Sequence, residues 1–131
     1  MFDEVIAFMK EASPIYIATV EENAPRVRPM GFVSGYDGKV TFASSAGNGT
    51  TKQLEANSNI EVSCTAATRD KALRIKGKAI IVSDIETIEA MMEAEPNLKR
   101  ISPTPDGITI FYIDNPEATF WTYTGVTAVD L

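Results

Sequence analysis

The residues of this chain best suited to chemistry lie between Arg28 and Lys52. The run Ser44-Ser45-Ala46-Gly47-Asn48-Gly49-Thr50-Thr51-Lys52 has the makings of an anion cradle. Serine and threonine hydroxyls can donate, glycines let backbone N–H groups approach a ligand, and a helix start follows. Lys52 would add charge from the first helical turn. The pattern is not that of a Walker A loop. Upstream, Asp37-Gly38 between strand-like residues marks a two-residue hairpin turn, with Tyr36 paired to Lys39. Carried outward, that register sets Met30 opposite Ser45 and Arg28 opposite Gly47. Arg28 therefore comes to the mouth of the loop. Without it, the same residues would read as an ordinary solvated loop, because Gly, Ser, Asn and Thr dominate loops everywhere.

Other candidates each carry a bland reading beside the sharp one. Arg26 shares a strand face with Arg28, and Arg74 shares one with Ala72 and Lys76; both suit exposed strand cations. Trp121, in ATFWTYTG, suits a core or an interface, and equally a platform for a flat heterocycle. Met91 and Met92 fall in an acidic segment whose spacing is that of a helix face. Cys64 is the only cysteine and lies in the alternating run IEVSCTAA, so it reads as a packed thiol. The chain contains no histidine. Ser-His-Asp and Cys-His nucleophiles and the usual catalytic zinc sites are thereby excluded. No carboxylate pair stands out as acid and base. If the protein is an enzyme, a borrowed cofactor does the difficult chemistry.

These candidates must be positioned by short elements. A helix is expected over Phe2 to Glu11, where Phe2, Val5, Ile6 and Met9 recur at helical spacing. Strand-like stretches run Ile15 to Val20, Arg26 to Ser34, Lys39 to Ser45, Ile60 to Ala67, Ala72 to Val82, Ile108 to Ile113 and Ala118 to Tyr123. A short helix is expected over Thr50 to Ala56. Another, Asp84 to Glu95, opens on a capping box of Ser83 and Glu86 and stops before Pro96. Helix and strand do not alternate, which argues for a mainly β fold, an antiparallel barrel with accessory helices, over a parallel sheet. The 131 residues show no repeat and no linker, which gives one domain over 1–131. A net charge of −6 argues against nucleic acid or an anionic membrane as partner. No apolar run is long enough to span a bilayer. Acids where a signal peptide needs cations lead to the expectation of a cytoplasmic protein.

The order of YIATVEENAPRVRPMGF, the Asp-Gly hairpin, VTFASS, TKQLEANSNIEVS and LRIKGKA resembles the FMN-binding split-barrel family of pyridoxamine 5′-phosphate oxidase. So does EAEPNLKRISPTPDGITIFYIDNPEATFWTYTG, in the manner of small single-domain members. The resemblance implies a six-stranded antiparallel split barrel that forms a homodimer, with FMN in clefts between subunits and a small-molecule substrate. By position, Arg28, Pro29, Met30 and Gly31 would follow the flavin ring and ribityl chain, with Arg28 reaching the phosphate. Ser44 and Ser45 would border ribityl and phosphate, with Thr50, Thr51 and Lys52 beyond them. Arg74 and Trp121 match positions near the cleft. Where the oxidase carries adjacent Arg and Lys for the phosphate, this chain has Gly49 and Thr50. The oxidase's C-terminal Arg and His for pyridoxine phosphate have no counterpart here, so oxidoreduction of another small molecule is expected. The alternatives are a non-catalytic binding module with an eroded phosphate site, or a member using a deazaflavin or haem. Haem would need Cys, Met or Tyr as its ligand.

Overall fold

The structure is a computed structural model and describes residues 1–131. Helix α1 (Phe2–Glu11) forms as its apolar spacing predicts, with Asp3 and Glu4 in the first turn and Val5, Ile6 and Met9 buried. Strands β1 (Ile15–Glu21), β2 (Ala24–Met30), β3 (Val33–Ser34) and β4 (Thr41–Ser45) follow. Helix α2 (Gly49–Ala56) then leads to β5 (Asn59–Thr65) and β6 (Lys71–Ile81). Helix α3 (Ile85–Ala94), a 3-10 turn over Pro96–Arg100, β7 (Ile108–Thr122) and β8 (Gly125–Val129) complete the chain.

The eight strands make one antiparallel sheet in the order β2-β1-β5-β6-β7-β4-β3, with β8 added to β7. Its two ends, β2 and β3, are separated in sequence only by Gly31 and Phe32. Two residues between strand ends span at most about 11 Å. The sheet must therefore curl until its ends nearly meet, which makes the expected split barrel and leaves a seam between β2 and β3.

Differences from the expected strands have local causes. The run Arg26 to Ser34 is two strands, because β2 carries Pro25 and Pro29, which lack an N–H and suit an edge strand. The hairpin register holds where pairing exists, at Val33 with Phe42 and Ser34 with Thr41. It ends there, and β2 crosses to β1, so Arg28 pairs with Ile17 instead of Gly47. The turn is as expected: Asp37 and Gly38 both have positive φ, and Lys39 N–H donates to the Tyr36 carbonyl at 3.1 Å. The two expected strands near the end are one, because Asp114 to Glu117 bulges instead of turning. The register with β6 shifts between Lys76 and Lys78, and Asn115 takes φ 51°. The count is thus eight strands, not six. Helix α3 is capped one residue later than expected, by Asp84, whose carboxylate accepts from Thr87 N at 3.1 Å.

The main core fills the barrel, with Ile17, Phe42, Ile75 and Phe111 fully buried. A second core lies outside it, where Ile88, Met91 and Met92 of α3 and Leu98 cover Ala43, Ile108 and Ile110. Strand alternation sends Phe42 and Ala43 to opposite cores, so β4 and the first half of β7 are buried on both faces.

At Gly77, within the bulge, an added Cβ would sit 2.5 Å from Ile113 Cγ2 and 2.8 Å from the Asp114 carbonyl oxygen. Gly77→Ala is expected to cost about 1–3 kcal/mol, since neither neighbour is a flexible chain end, and urea unfolding will measure it. Cys64 is buried, and burial pushes its thiol up to about 11. The folded state favours the neutral thiol, so this contribution is whole below the unfolded pKa of roughly 8.5. It is lost as pH rises through about 11. Unfolding free energies measured across that window should fall with pH in the wild type and fall less in Cys64→Ala.

Candidate functional site

The seam opens into a cavity of about 550 Å³, within the roughly 300–1,000 Å³ usual for small-molecule sites. One wall is the backbone and side chains of Arg28 through Phe32, as β2 ends and the chain crosses to β3. The opposite wall is Ser44 and Ser45 at the end of β4, with Asn48 and Thr50 at the start of α2. Asn97, Arg100 and Ile101 close a third side.

Asn48 shapes the second wall twice over. Its Oδ1 accepts from Thr51 N at 3.2 Å, capping α2, and its Nδ2 donates to Ser44 Oγ at 2.7 Å. The cap fixes where the helix begins, and the hydroxyls of Ser44, Ser45 and Thr50 border the space in front of it. A helix N-terminus with hydroxyls around it favours negative charge.

The charge balance of the lining is one-sided. It contains Arg28 and Arg100 and no Asp or Glu, in a chain whose net charge is −6. Arg28 is half-buried, and all its partners are neutral. Its Nη1 donates to Thr19 Oγ1 at 2.7 Å and to the Ile17 carbonyl at 3.4 Å, and its Nη2 donates to Gln53 Oε1 at 2.5 Å. The ion pairs of the chain join Arg26 to Glu21, Lys39 to Asp37, Arg74 to Glu61 and Lys76 to Glu117, leaving Arg28 and Arg100 out. Desolvation pushes the Arg28 guanidinium below its ordinary value. Arginine starts from a pKa so high that it stays charged at neutral pH all the same. The site therefore presents a partly desolvated cation without a counter-charge, which is the condition that an anionic ligand relieves.

Seven of the residues singled out from the sequence line this cavity: Arg28, Pro29, Met30, Gly31, Ser44, Ser45 and Thr50. Four do not. Each step along a helix turns the side chain by roughly 100°, and so Thr50 faces the cavity while Thr51 turns to β7, its hydroxyl bonding Thr109 Oγ1 at 3.0 Å. Lys52 is exposed. Alternation on β6 buries Leu73 and Ile75, so Arg74 points outward and pairs with Glu61. Trp121 is 38% exposed on β7, its ring edge-on to Tyr123 at 5.0 Å.

Arg100 and Asn97 were not legible as site residues in the sequence. They reach the cavity because the second core holds Leu98 against β4 and β7, which seats the whole 3-10 turn over the seam. The only sequence signal was Pro96 with a basic pair, Lys99-Arg100, closing an acidic helix.

No curated protein matches the chain. It is similar in structure to a NimC/NimA family protein from Clostridium acetobutylicum, at 28% identity and a TM-score of 0.87, covering 99% of this chain and 92% of that one. General Stress Protein 26 from Bacillus anthracis shares the fold at 17% identity and a TM-score of 0.71, with 98% of each chain covered. So does a pyridoxamine 5′-phosphate oxidase-related, FMN binding protein from Nostoc punctiforme, at 11% identity and a TM-score of 0.68, covering 99% of this chain and 94% of that one. The family model described as pyridoxamine 5′-phosphate oxidase matches residues 1–122. With a curled antiparallel sheet split at one seam and nearly the whole sequence matched, the chain belongs to the pyridoxamine 5′-phosphate oxidase family.

Proposed function

We propose that this protein binds FMN at the seam of its barrel and serves as a small-molecule oxidoreductase. The observation that carries this reading is the half-buried, uncompensated Arg28 in a cavity free of acids. The residues present fit such a group by their chemistry. Arg28 and Arg100 are cations for a phosphate, and the hydroxyls of Ser44, Ser45 and Thr50 suit phosphate and ribityl oxygens. Met30, Phe32 and Ile101 supply apolar surface for a ring. When bound, FMN supplies the electron-accepting ring, and the chain supplies binding and orientation.

The reading extends to a homodimer in which a second copy walls the cleft. The sheet face around β7 and β8 supports it, since it exposes Trp121, Tyr123 and Val126. Arg74, on the neighbouring strand β6, lines a surface cavity with Val126 and Val129 and so belongs to the face that a second copy would cover. Gly49 and Thr50, standing where the oxidase has basic residues, favour a second reading, a binding module that holds no phosphate.

A spectrum of the purified protein, before and after FMN is added and excess removed, separates these readings. Retained flavin absorption is expected. Arg28→Ala should then lower FMN affinity by about ten- to hundredfold, the loss of a charge-assisted hydrogen bond worth roughly 1.5–3 kcal/mol. A protein that stays colourless, or an Arg28→Ala variant that binds FMN as the parent does, would favour the binding module. Sedimentation should give twice the chain mass of 14.2 kDa, and a monomer would remove the dimer from the reading.

A further inference from the structure

A guanidinium carries five N–H donors, and the protein engages three of those on Arg28. Nη1 uses both of its hydrogens, on Thr19 Oγ1 and the Ile17 carbonyl, and Nη2 uses one on Gln53 Oε1. Nε–H and the second Nη2–H have no partner in the chain. These two donors are neighbours on one edge of the planar group, the arrangement that accepts two oxygens of one phosphate or carboxylate. The structure has no buried polar side-chain atom left without a partner, so Nε lies within reach of solvent or a ligand.

What selects that edge is a buried pair of neutral acceptors. Thr19 is 2% exposed and Gln53 is 8% exposed. The Thr19 hydroxyl donates to Gln53 Oε1 at 2.5 Å, which sets two acceptor oxygens side by side against the two Nη nitrogens. Gln53 Nε2 donates to Glu21 Oε2 at 3.3 Å, which fixes the amide with its oxygen toward Arg28. Glu21 in turn is held by Arg26, at 3.1 and 3.2 Å. Gln53 is thus a neutral spacer between the Arg28 cation and the Glu21 carboxylate.

We propose that Thr19 and Gln53 are positioning residues that dock one edge of the Arg28 guanidinium and leave the Nε–Nη2 edge to bind an oxyanion through two parallel hydrogen bonds. The proposal rests on the anion-site reading of the cavity and goes beyond it by assigning the residues that set Arg28's geometry and neutral surroundings.

The test compares FMN with riboflavin, which lacks the phosphate, in fluorescence titrations of the wild type, Thr19→Val, Thr19→Ser and Gln53→Met. Thermal unfolding serves as the check on folding. Thr19→Val and Gln53→Met should each weaken FMN by about tenfold, the effect of one such hydrogen bond, and leave riboflavin unchanged. Thr19→Ser, which keeps the hydroxyl, should behave as the wild type. Parallel losses for both ligands would mean a loosened fold and would overturn the proposal, as would no loss for either. Should Arg28→Ala leave the FMN-to-riboflavin ratio of the wild type intact, the flavin reading itself fails, and inorganic phosphate becomes the probe. A phosphate-induced shift of the Arg28 Nε–H resonance that disappears in Thr19→Val and Gln53→Met would then uphold the oxyanion edge. No such shift would overturn it.

Discussion

The fold and the site both depend on the two-residue crossing at Gly31 and Phe32. The strands it joins lie at opposite ends of one sheet, so the crossing can be made only if the sheet closes on itself. Closure puts the barrel's one unpaired seam where β2 and β4 diverge, and that divergence is the cavity. Pro25 and Pro29 enforce the split, because β2 cannot offer a full ladder on a second side. The seam is therefore a consequence of closing the sheet with an edge strand that will not pair further. The start of α2 and the 3-10 turn over Pro96–Arg100 then complete the pocket's walls.

Placing a cation at that seam has an electrostatic cost. Partial burial disfavours the charge, and Arg28 recovers only what neutral oxygens can give it. A carboxylate in the place of Gln53 would stabilise the apoprotein better and would also neutralise the site. The exposed cations Arg26, Arg74 and Lys76 each carry an acid partner, although ion pairs at exposed positions contribute little. Arg28, partly buried at the cavity, has none. A cation held half out of water by neutral oxygens alone is the physical reason for reading Arg28 as functional.

How much of this could be read in the sequence followed the range of the interactions involved. The Asp37-Gly38 turn is local, and its register reached Val33 and Phe42 as expected. Arg28 came to the loop region, but by a different route, because the sequence carried no sign that β2 would leave β4 for β1. Thr50 and Thr51 differ in direction only through the phase of α2, which the Asn48 cap sets. Asp114 to Glu117 looks like a turn by composition; pairing with β6 on both sides keeps it within one long strand. Arg100 lay furthest from view, since its position depends on two cores packing back to back across β4 and β7.

That dependence bears on the loop cations that this chain lacks. The resemblance to the family's oxidase sets Gly49 and Thr50 where that enzyme is expected to carry its phosphate cations. Here the loop offers hydroxyls and a capped helix start, and the second cation of the lining arrives from the far side on the 3-10 turn. A cation at the first turn of a helix opposes the helix dipole, whereas one on a separate turn does not. A cation on the 3-10 turn spares α2 that cost, but it makes the charge of the proposed site contingent on the packing of α3. Met91, Met92 and Leu98 are not among the residues that line the cavity, yet they pack behind Ala43 of its wall and help to determine where Arg100 stands. In this chain, the second hydrophobic core is part of what shapes the proposed anion site.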